Sequence, residues 1–243
     1  MHIVPPPSSI VYRVAKRHGG SSDEVFDPPP WFTSFKARWD DPRIADDKRG
    51  FPKEQCFRVI YFATEPEGAY GEVFQRHIPN PSTMATIFGS NDPPSNPYLR
   101  GGQLTRGELA NRNIGAARLA SNLRFVNIVH IVSRTTLYHT DPSIFPLVGA
   151  LGLNSFDASA LTGDTDAHRK LTQQVALSIY KKVDAQGRRL FDGIRYESHV
   201  NTDWECWAVF YECLQYTPVS VTAVDPTDPS LIRAMSALNV QII

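Results

Sequence analysis

The stretch Phe57–His77 (FRVIYFATEPEGAYGEVFQRH) constrains the chain most, because it joins an apolar strand to a helix across a short turn. Phe57, Val59, Ile60, Tyr61 and Phe62 form a β-branched and aromatic run that predicts a buried strand. Thr64-Glu65-Pro66-Glu67 has the spacing of a capping box, with Thr64 as N-cap and Pro66 in the first turn, where its missing N–H does little harm. In the helix that follows, Ala69, Tyr70, Val73 and Phe74 make the apolar face, and Glu72 falls at its margin. Gly68 lies one turn before Glu72 on the same side. Glycines at 68 and 71 cost about 1 kcal/mol each in a helix interior, which implies a close approach beside the carboxylate and a glutamate delivered to a cleft. The plainer alternative is a surface ion pair with Arg76, four residues on, worth about 0.3–0.5 kcal/mol.

The remaining composition narrows the class. At 243 residues, with 42% hydrophobic and 21% charged residues and a formal net charge of zero, the chain reads as a soluble globular protein. It has no basic excess to suit nucleic acid or an acidic membrane surface. No apolar run approaches the roughly 18 residues of a membrane span. The N-terminus, MHIVPPPSSIVYRV, shows no signal-peptide pattern. The three cysteines, Cys56, Cys206 and Cys213, form no CxxC pair. That suits a reducing compartment and speaks against a structural zinc.

In chain order, Ile10–Val14 reads as a short strand in which Arg13 faces opposite to Tyr12 and Val14. A solvent-facing Arg13 is the simple reading. Residues 16–34 read as loop. Arg38-Trp39 after it suits either anion binding with stacking or a cation–π contact that pins the loop. Residues 78–105 are rich in Pro, Asn, Ser and Gly and read as a loop insertion in a single domain spanning 1–243. Thr105-Arg106-Gly107-Glu108 repeats the capping pattern and predicts a helix to about Arg124, followed by a strand from Phe125 to Val132. Asp166–Val183 carries the clearest 3.6-residue period, with Gly187 placed to end it. FDGIRYESHVNTDWECWAVFYE predicts a short strand at Ile194–Tyr196, Ser198 at its end, a turn at Asn201–Asp203 and a buried strand from Trp207 to Cys213. Ser198 alone reads as a turn serine, since no G-x-S-x-G surrounds it. Pro218–Val224 predicts a further strand. Asp228-Pro229 caps a last helix with Leu231, Ile232, Met235 and Leu238 facing inward, before a strand-like tail.

Arg13 on an early strand, Arg38 beside Trp39, Glu72 on the central strand–helix unit and Ser198 near the end form a constellation. The chain resembles the RES-domain family, named for its arginine, glutamate and serine. The resemblance rests on Tyr12-Arg13-Val14, Arg38-Trp39, VIYFATEPEGAYGEVFQRH and FDGIRYESHVNTDWECWAVF, and covers roughly residues 10–225. One departure is Asp40-Asp41-Pro42 after the Arg-Trp pair, where the family tends to place Asn and a nearby Gly.

The resemblance implies an α+β fold similar to the ADP-ribosyltransferases, a mixed core of two sheets around an NAD cleft with flanking helices. It implies cleavage of the nicotinamide–ribose bond of NAD by phosphate or water, and a toxin that depletes cellular NAD. Glu72, Arg13 and Ser198 are then the catalytic candidates, and Arg38, Tyr12 and Tyr61 bind the dinucleotide. NAD is a substrate, inorganic phosphate a candidate co-substrate, and no metal is expected. A cognate antitoxin or immunity protein is the expected partner, with neither nucleic acid nor membrane. The expected location is the cytoplasm, of its own or of a target cell. Two alternatives stay open: an ADP-ribosyltransferase acting on a macromolecule, and a non-catalytic nucleotide-binding module. A Rossmann dehydrogenase is disfavoured because no G-x-G-x-x-G follows a strand.

Overall fold

Strand alternation divides the interior into two apolar layers, and the central strand shows how. Val59, Tyr61 and Ala63 point into one layer, Ile60 and Phe62 into the other. The computed structural model describes residues 1–17, 23–27, 37–45, 52–79 and 102–243. The Gly- and Pro-rich stretches at 18–22 and 28–36, and most of the proposed insertion (80–101), lie outside the described residues.

The strands are β1 (Ile3–Val4), β2 (Val11–Lys16), β3 (Val59–Ala63), β4 (Gln103–Leu104), β5 (Arg112–Leu119), β6 (Phe125–Asn127), β7 (Gly193–Glu197), β8 (Glu205–Phe210), β9 (Tyr216–Ala223) and β10 (Gln241–Ile242). The helices are α1 (Pro66–Phe74), α2 (Arg106–Ala110), α3 (Ile131–Thr140), α4 (Ile144–Ala150), α5 (Ser159–Thr162), α6 (Asp166–Tyr180) and α7 (Pro229–Ala237). One eight-stranded sheet runs in the order β1-β6-β7-β8-β3-β2-β5-β9, and β10 pairs with β4 in a two-stranded ribbon. Within the large sheet only β6–β7 is parallel. The class is α+β, as expected, with two sheets of unequal size.

On one face of the large sheet lie Val14, Val59, Ala63, Ile194, Tyr196, Cys206, Ala208 and Phe210, covered by apolar residues of α1 and α6. Val11, Ile60, Phe62, Trp207 and Val209 face the other side, with Val25 and Phe26. The helices that cover the first face are well specified. Thr165 caps α6 by accepting from the His168 N–H, and Asp228 caps α7 by accepting from Ser230. α1 is tied to α7 by Glu67–Arg233 at 2.8 Å and by the Tyr70 hydroxyl, which donates to Asp228 at 2.8 Å.

Several local expectations are corrected. Thr64 does not cap α1. Glu65 does, without a side-chain hydrogen bond, while the Thr64 hydroxyl donates to Glu205 at 2.7 Å and accepts from the Trp207 indole at 3.0 Å. The cap at Thr105 forms, but α2 ends at Ala110. Residues 112–119 are instead a strand, because β2 and β9 both pair with it and satisfy its backbone on both edges. β6 spans only three residues before α3 begins, with the His130 ring as N-cap. β8 stops at Phe210, and Tyr211–Cys213 form a 3-10 turn. Gly187, at φ +77°, serves a later turn beyond the end of α6. Ile232 is exposed, unlike Leu231, Met235 and Leu238.

The two α1 glycines are explained by Trp204. A Cβ on Gly71 would lie 1.9 Å from Trp204 Cζ3, and one on Gly68 would lie 3.2 Å from Trp204 Cβ. The close approach inferred beside Glu72 is therefore an indole packed on the helix. Gly71→Ala should destabilise the fold by about 1–3 kcal/mol through overpacking, against the roughly 1 kcal/mol gain expected from helix propensity alone. Urea unfolding of Gly71→Ala, Trp204→Leu and the double variant checks this. The double variant should be less destabilised than the sum of the two single ones.

Candidate active site

A cleft of about 470 Å³ opens between α1, the first face of the sheet and the start of α6. That lies within the roughly 300–1,000 Å³ usual for small-molecule sites. β2 contributes Tyr12 and Val14, β3 contributes Tyr61 and Ala63, and the turn at 37–39 contributes Arg38 and Trp39. α1 contributes Glu72, Val73 and, just past its end, Arg76, while Asp164, Thr165 and Arg169 come from the α6 end.

Glu72 is the acid of this cleft, half-buried as a residue, with its Oε1 shielded from solvent. The Tyr196 hydroxyl donates to its Oε2 at 3.2 Å. Oε1 is buried with no hydrogen-bond partner among the described residues. Burial pushes the Glu72 carboxyl above the usual range, opposed by Ser198, Tyr196 and Arg38, which favour the charged form. The helical ion pair with Arg76 does not form. Arg76 pairs with Glu108, which also takes His77 at 3.3 Å. Ser198 is fully buried, on the same face as Tyr196 two residues earlier. Its N–H donates to Trp204 O at 2.9 Å, and its hydroxyl oxygen accepts from Val200 N at 3.4 Å.

Arg38 also reaches the cleft. Its guanidinium donates to Leu161 O at 2.9 Å and lies 3.8 Å from the exposed Asp164 carboxylate. Burial lowers its pKa, while Asp164 and Glu72 act in the opposite direction. Arg38 thus pins its turn to α5 through a backbone carbonyl rather than through a cation–π contact with Trp39, and its charge also acts on Glu72. His199, half-buried nearby, is pushed down to about 4 by desolvation and by Arg38, so its imidazole is neutral at neutral pH.

Tyr12 and Tyr61 both line the cleft. The Tyr61 hydroxyl is already engaged: it donates to Asp40 Oδ1 at 3.0 Å and accepts from Trp39 N at 3.3 Å. Asp40 also accepts from Ala37 N at 3.0 Å, and burial pushes its carboxyl up to about 6.

Arg13 differs. Its backbone position is on the cleft wall, but alternation along β2 sends its guanidinium to the other face. There it donates to Val25 O at 2.6 Å, Tyr61 O at 3.4 Å and Asp27 O at 3.5 Å. Contact between Arg13 and the phosphates of a ligand in this cleft is not what the geometry provides, because the sheet lies between them. Burial lowers its pKa to about 10.

The structure therefore brings Glu72, Arg38, Tyr12 and Tyr61 together on the cleft lining, leaves Ser198 buried beside Glu72 and off that lining, and sets the Arg13 side chain apart. Sequence reasoning gave no role to Tyr196 or to the α6 end. The signal for Tyr196 was present: on a strand, residues two apart share a face, so Tyr196 belongs with Ser198. Asp164, Thr165 and Arg169 carried no such signal, because they reach the cleft by tertiary packing alone.

Among the described residues, no group of three or more His, Cys, Asp or Glu is placed to hold a metal ion, and no helix is long and apolar enough to cross a membrane. No protein-family model matches the chain, and no curated protein matches it. Among solved structures, it is similar to a chain of the M. tuberculosis MbcT-MbcA toxin-antitoxin complex. The TM-score is 0.48 at 12% identity, over 96% of this chain and 91% of that one.

Proposed function

We propose that this protein cleaves the nicotinamide–ribose bond of NAD, with phosphate or water as acceptor, and acts as a toxin that depletes NAD. The observation that carries the reading is the buried Glu72 carboxylate, held by Tyr196 in a cleft walled by tyrosines and arginines. In this reaction the C1″–N1 bond breaks, its electron pair leaves with neutral nicotinamide, and positive charge develops on the ribose. An oxygen of phosphate or water then adds at C1″, and water releases its proton to solvent. A carboxylate in a dry cleft stabilises the oxocarbenium-like state strongly.

The leaving group needs no general acid, so one carboxylate suffices. Glu72 Oε1 accepts a ribose hydroxyl. Ser198 and Tyr196 keep Glu72 charged against the penalty of burial. Arg38 meets phosphate oxygens, and the rings of Tyr12 and Tyr61 flank the planar parts of the dinucleotide. Arg13 is a positioning residue: it fastens the Asp23–Phe26 turn and the Tyr61 carbonyl to β2. A cognate antitoxin or immunity protein that closes the cleft belongs to the same reading.

Purified protein incubated with NAD, with and without inorganic phosphate, should release nicotinamide and yield ADP-ribose or its 1″-phosphate by mass spectrometry. Glu72→Gln should lower the rate by roughly 100-fold or more. Turnover undiminished in Glu72→Gln, or nicotinamide release only when a macromolecule is modified, would reject the proposal.

The pH dependence gives a second check. Because Glu72 must be ionised, activity should rise with pH along an acid limb whose midpoint lies above the ordinary carboxylate range. Tyr196→Phe removes a donor to the charged form and should move that limb to still higher pH, read from kcat/KM profiles.

Stability should run the other way. The folded state holds the Glu72 proton more tightly than the unfolded chain. Wild-type stability therefore falls as pH rises from the ordinary glutamate value through the raised one. Glu72→Gln does not titrate, so its Tm advantage over wild type should be small near pH 4 and grow toward pH 8. A Tm difference independent of pH would mean that Glu72 is not buried in its charged form.

A further inference from the structure

The cleft wall holds a second orphan besides Glu72 Oε1. Trp39 is 1% exposed, and its indole Nε1–H has no hydrogen-bond partner among the described residues. Leaving a buried donor unpaired is unfavourable by about 1–3 kcal/mol, and native structures rarely tolerate it without a reason. Both orphans belong to residues that line the same cleft. They are also linked through Tyr196: the Trp39 ring packs against the Tyr196 ring at 5.4 Å between centroids, and the Tyr196 hydroxyl holds Glu72. Tyr196 thus touches both the residue with the unmet donor and the residue with the unmet acceptor.

The surroundings of Trp39 say what its N–H is for. Tyr196, Tyr61 and Tyr12 make this part of the wall aromatic, a surface suited to a flat ring. The cations that suit phosphate oxygens are other residues of the wall, each beside a carboxylate: Arg38 with Asp164, Arg76 with Glu108, Arg169 with Asp166. A neutral donor among aromatic rings complements a neutral acceptor on a planar heterocycle. Resting on the NAD reading above, we infer that Trp39 is a substrate-binding residue whose indole N–H takes the carboxamide oxygen of the nicotinamide ring. The Trp39 indole nitrogen is occluded from solvent, so engaging it takes a rotation of the Trp39 side chain, and binding includes an induced-fit step.

The test uses ring compounds as competitors. Nicotinamide and 3-acetylpyridine keep the carbonyl acceptor, whereas 3-ethylpyridine lacks it. In wild-type protein, loss of the carbonyl should weaken binding about tenfold, the size of one hydrogen bond made in a dry site. Binding is measured by calorimetry as well as by inhibition. Trp39→Phe keeps an aromatic ring and removes the donor. It should bind nicotinamide about tenfold more weakly than wild type, bind all three compounds alike, and raise KM for NAD more than it lowers kcat. A Trp39→Phe variant that keeps the carbonyl preference would overturn the inference. Should that variant not fold, the wild-type series decides: equal binding of nicotinamide and 3-ethylpyridine overturns it. The two readings separate as well. Carbonyl preference without NAD turnover removes the enzyme and keeps the role of Trp39, and turnover without the preference does the reverse.

Discussion

The site depends on one unfavourable act, the burial of the Glu72 carboxylate between α1 and β7. Among the described residues the Tyr196 hydroxyl donates to one carboxylate oxygen at 3.2 Å, Ser198 also favours the charged form, and the other oxygen has no partner in hydrogen-bond geometry. An acid in that position is held there by the rest of the structure and not by its own contacts. Trp204 presses into the notch left by Gly71 and Gly68 and sets the height of α1 over the sheet. Glu67–Arg233 and Tyr70–Asp228 fix its other flank against α7. Gln75 closes its end by donating to Glu72 O at 2.7 Å. The strain of a desolvated carboxylate is thus distributed over contacts whose energies are individually ordinary.

The second constraint is the period of two along the strands. It decides which neighbours in sequence become neighbours in space. Tyr12 and Arg13 are adjacent in the chain, yet the tyrosine enters the cleft layer while the guanidinium enters the layer of Val25 and Phe26. Tyr196 and Ser198 are two apart and share a face with Glu72. The same rule puts the Arg195–Glu205 pair, 2.9 Å apart and extended by Thr64 and the Trp207 indole, on the side away from the cleft. A motif of adjacent polar residues on a strand therefore supplies at most one of them to a site, and the other serves the opposite layer.

Those two constraints explain what was legible in the sequence. The strand–helix unit around Glu72, the strand at 193–197, and α6 and α7 were readable because their hydrophobic period is also their burial pattern. Residues 112–119 were misread because RNIGAARL carries good helix formers, and only pairing on both edges by β2 and β9 makes it a strand. Thr64 had the spacing of a cap, but Glu205 and Trp207 compete for its hydroxyl from 141 and 143 residues away. The glycines beside Glu72 signalled a close approach correctly. Its source, Trp204, is a tertiary contact that no local pattern encodes. Glu72, Ser198, Arg38, Tyr12 and Tyr61 were singled out through the family resemblance. Tyr196 and the α6 end were not.

The Asp40-Asp41 pair, a departure from the family pattern in the sequence, acquires a definite structural use. Asp41 is fully buried, accepts from Phe57 N at 3.0 Å and pairs with Arg43, which anchors the segment to the start of the central strand. Asp40 takes the Tyr61 hydroxyl and closes the Ala37–Asp40 turn on itself. With its hydroxyl held on that side, Tyr61 offers the cleft a ring and no donor. Arg38 is turned toward Leu161 and Asp164 by the same turn. The two aspartates thus occupy the Tyr61 hydroxyl and the backbone amides of Ala37 and Phe57, whereas the Trp39 indole N–H beside them has no hydrogen-bond partner among the described residues.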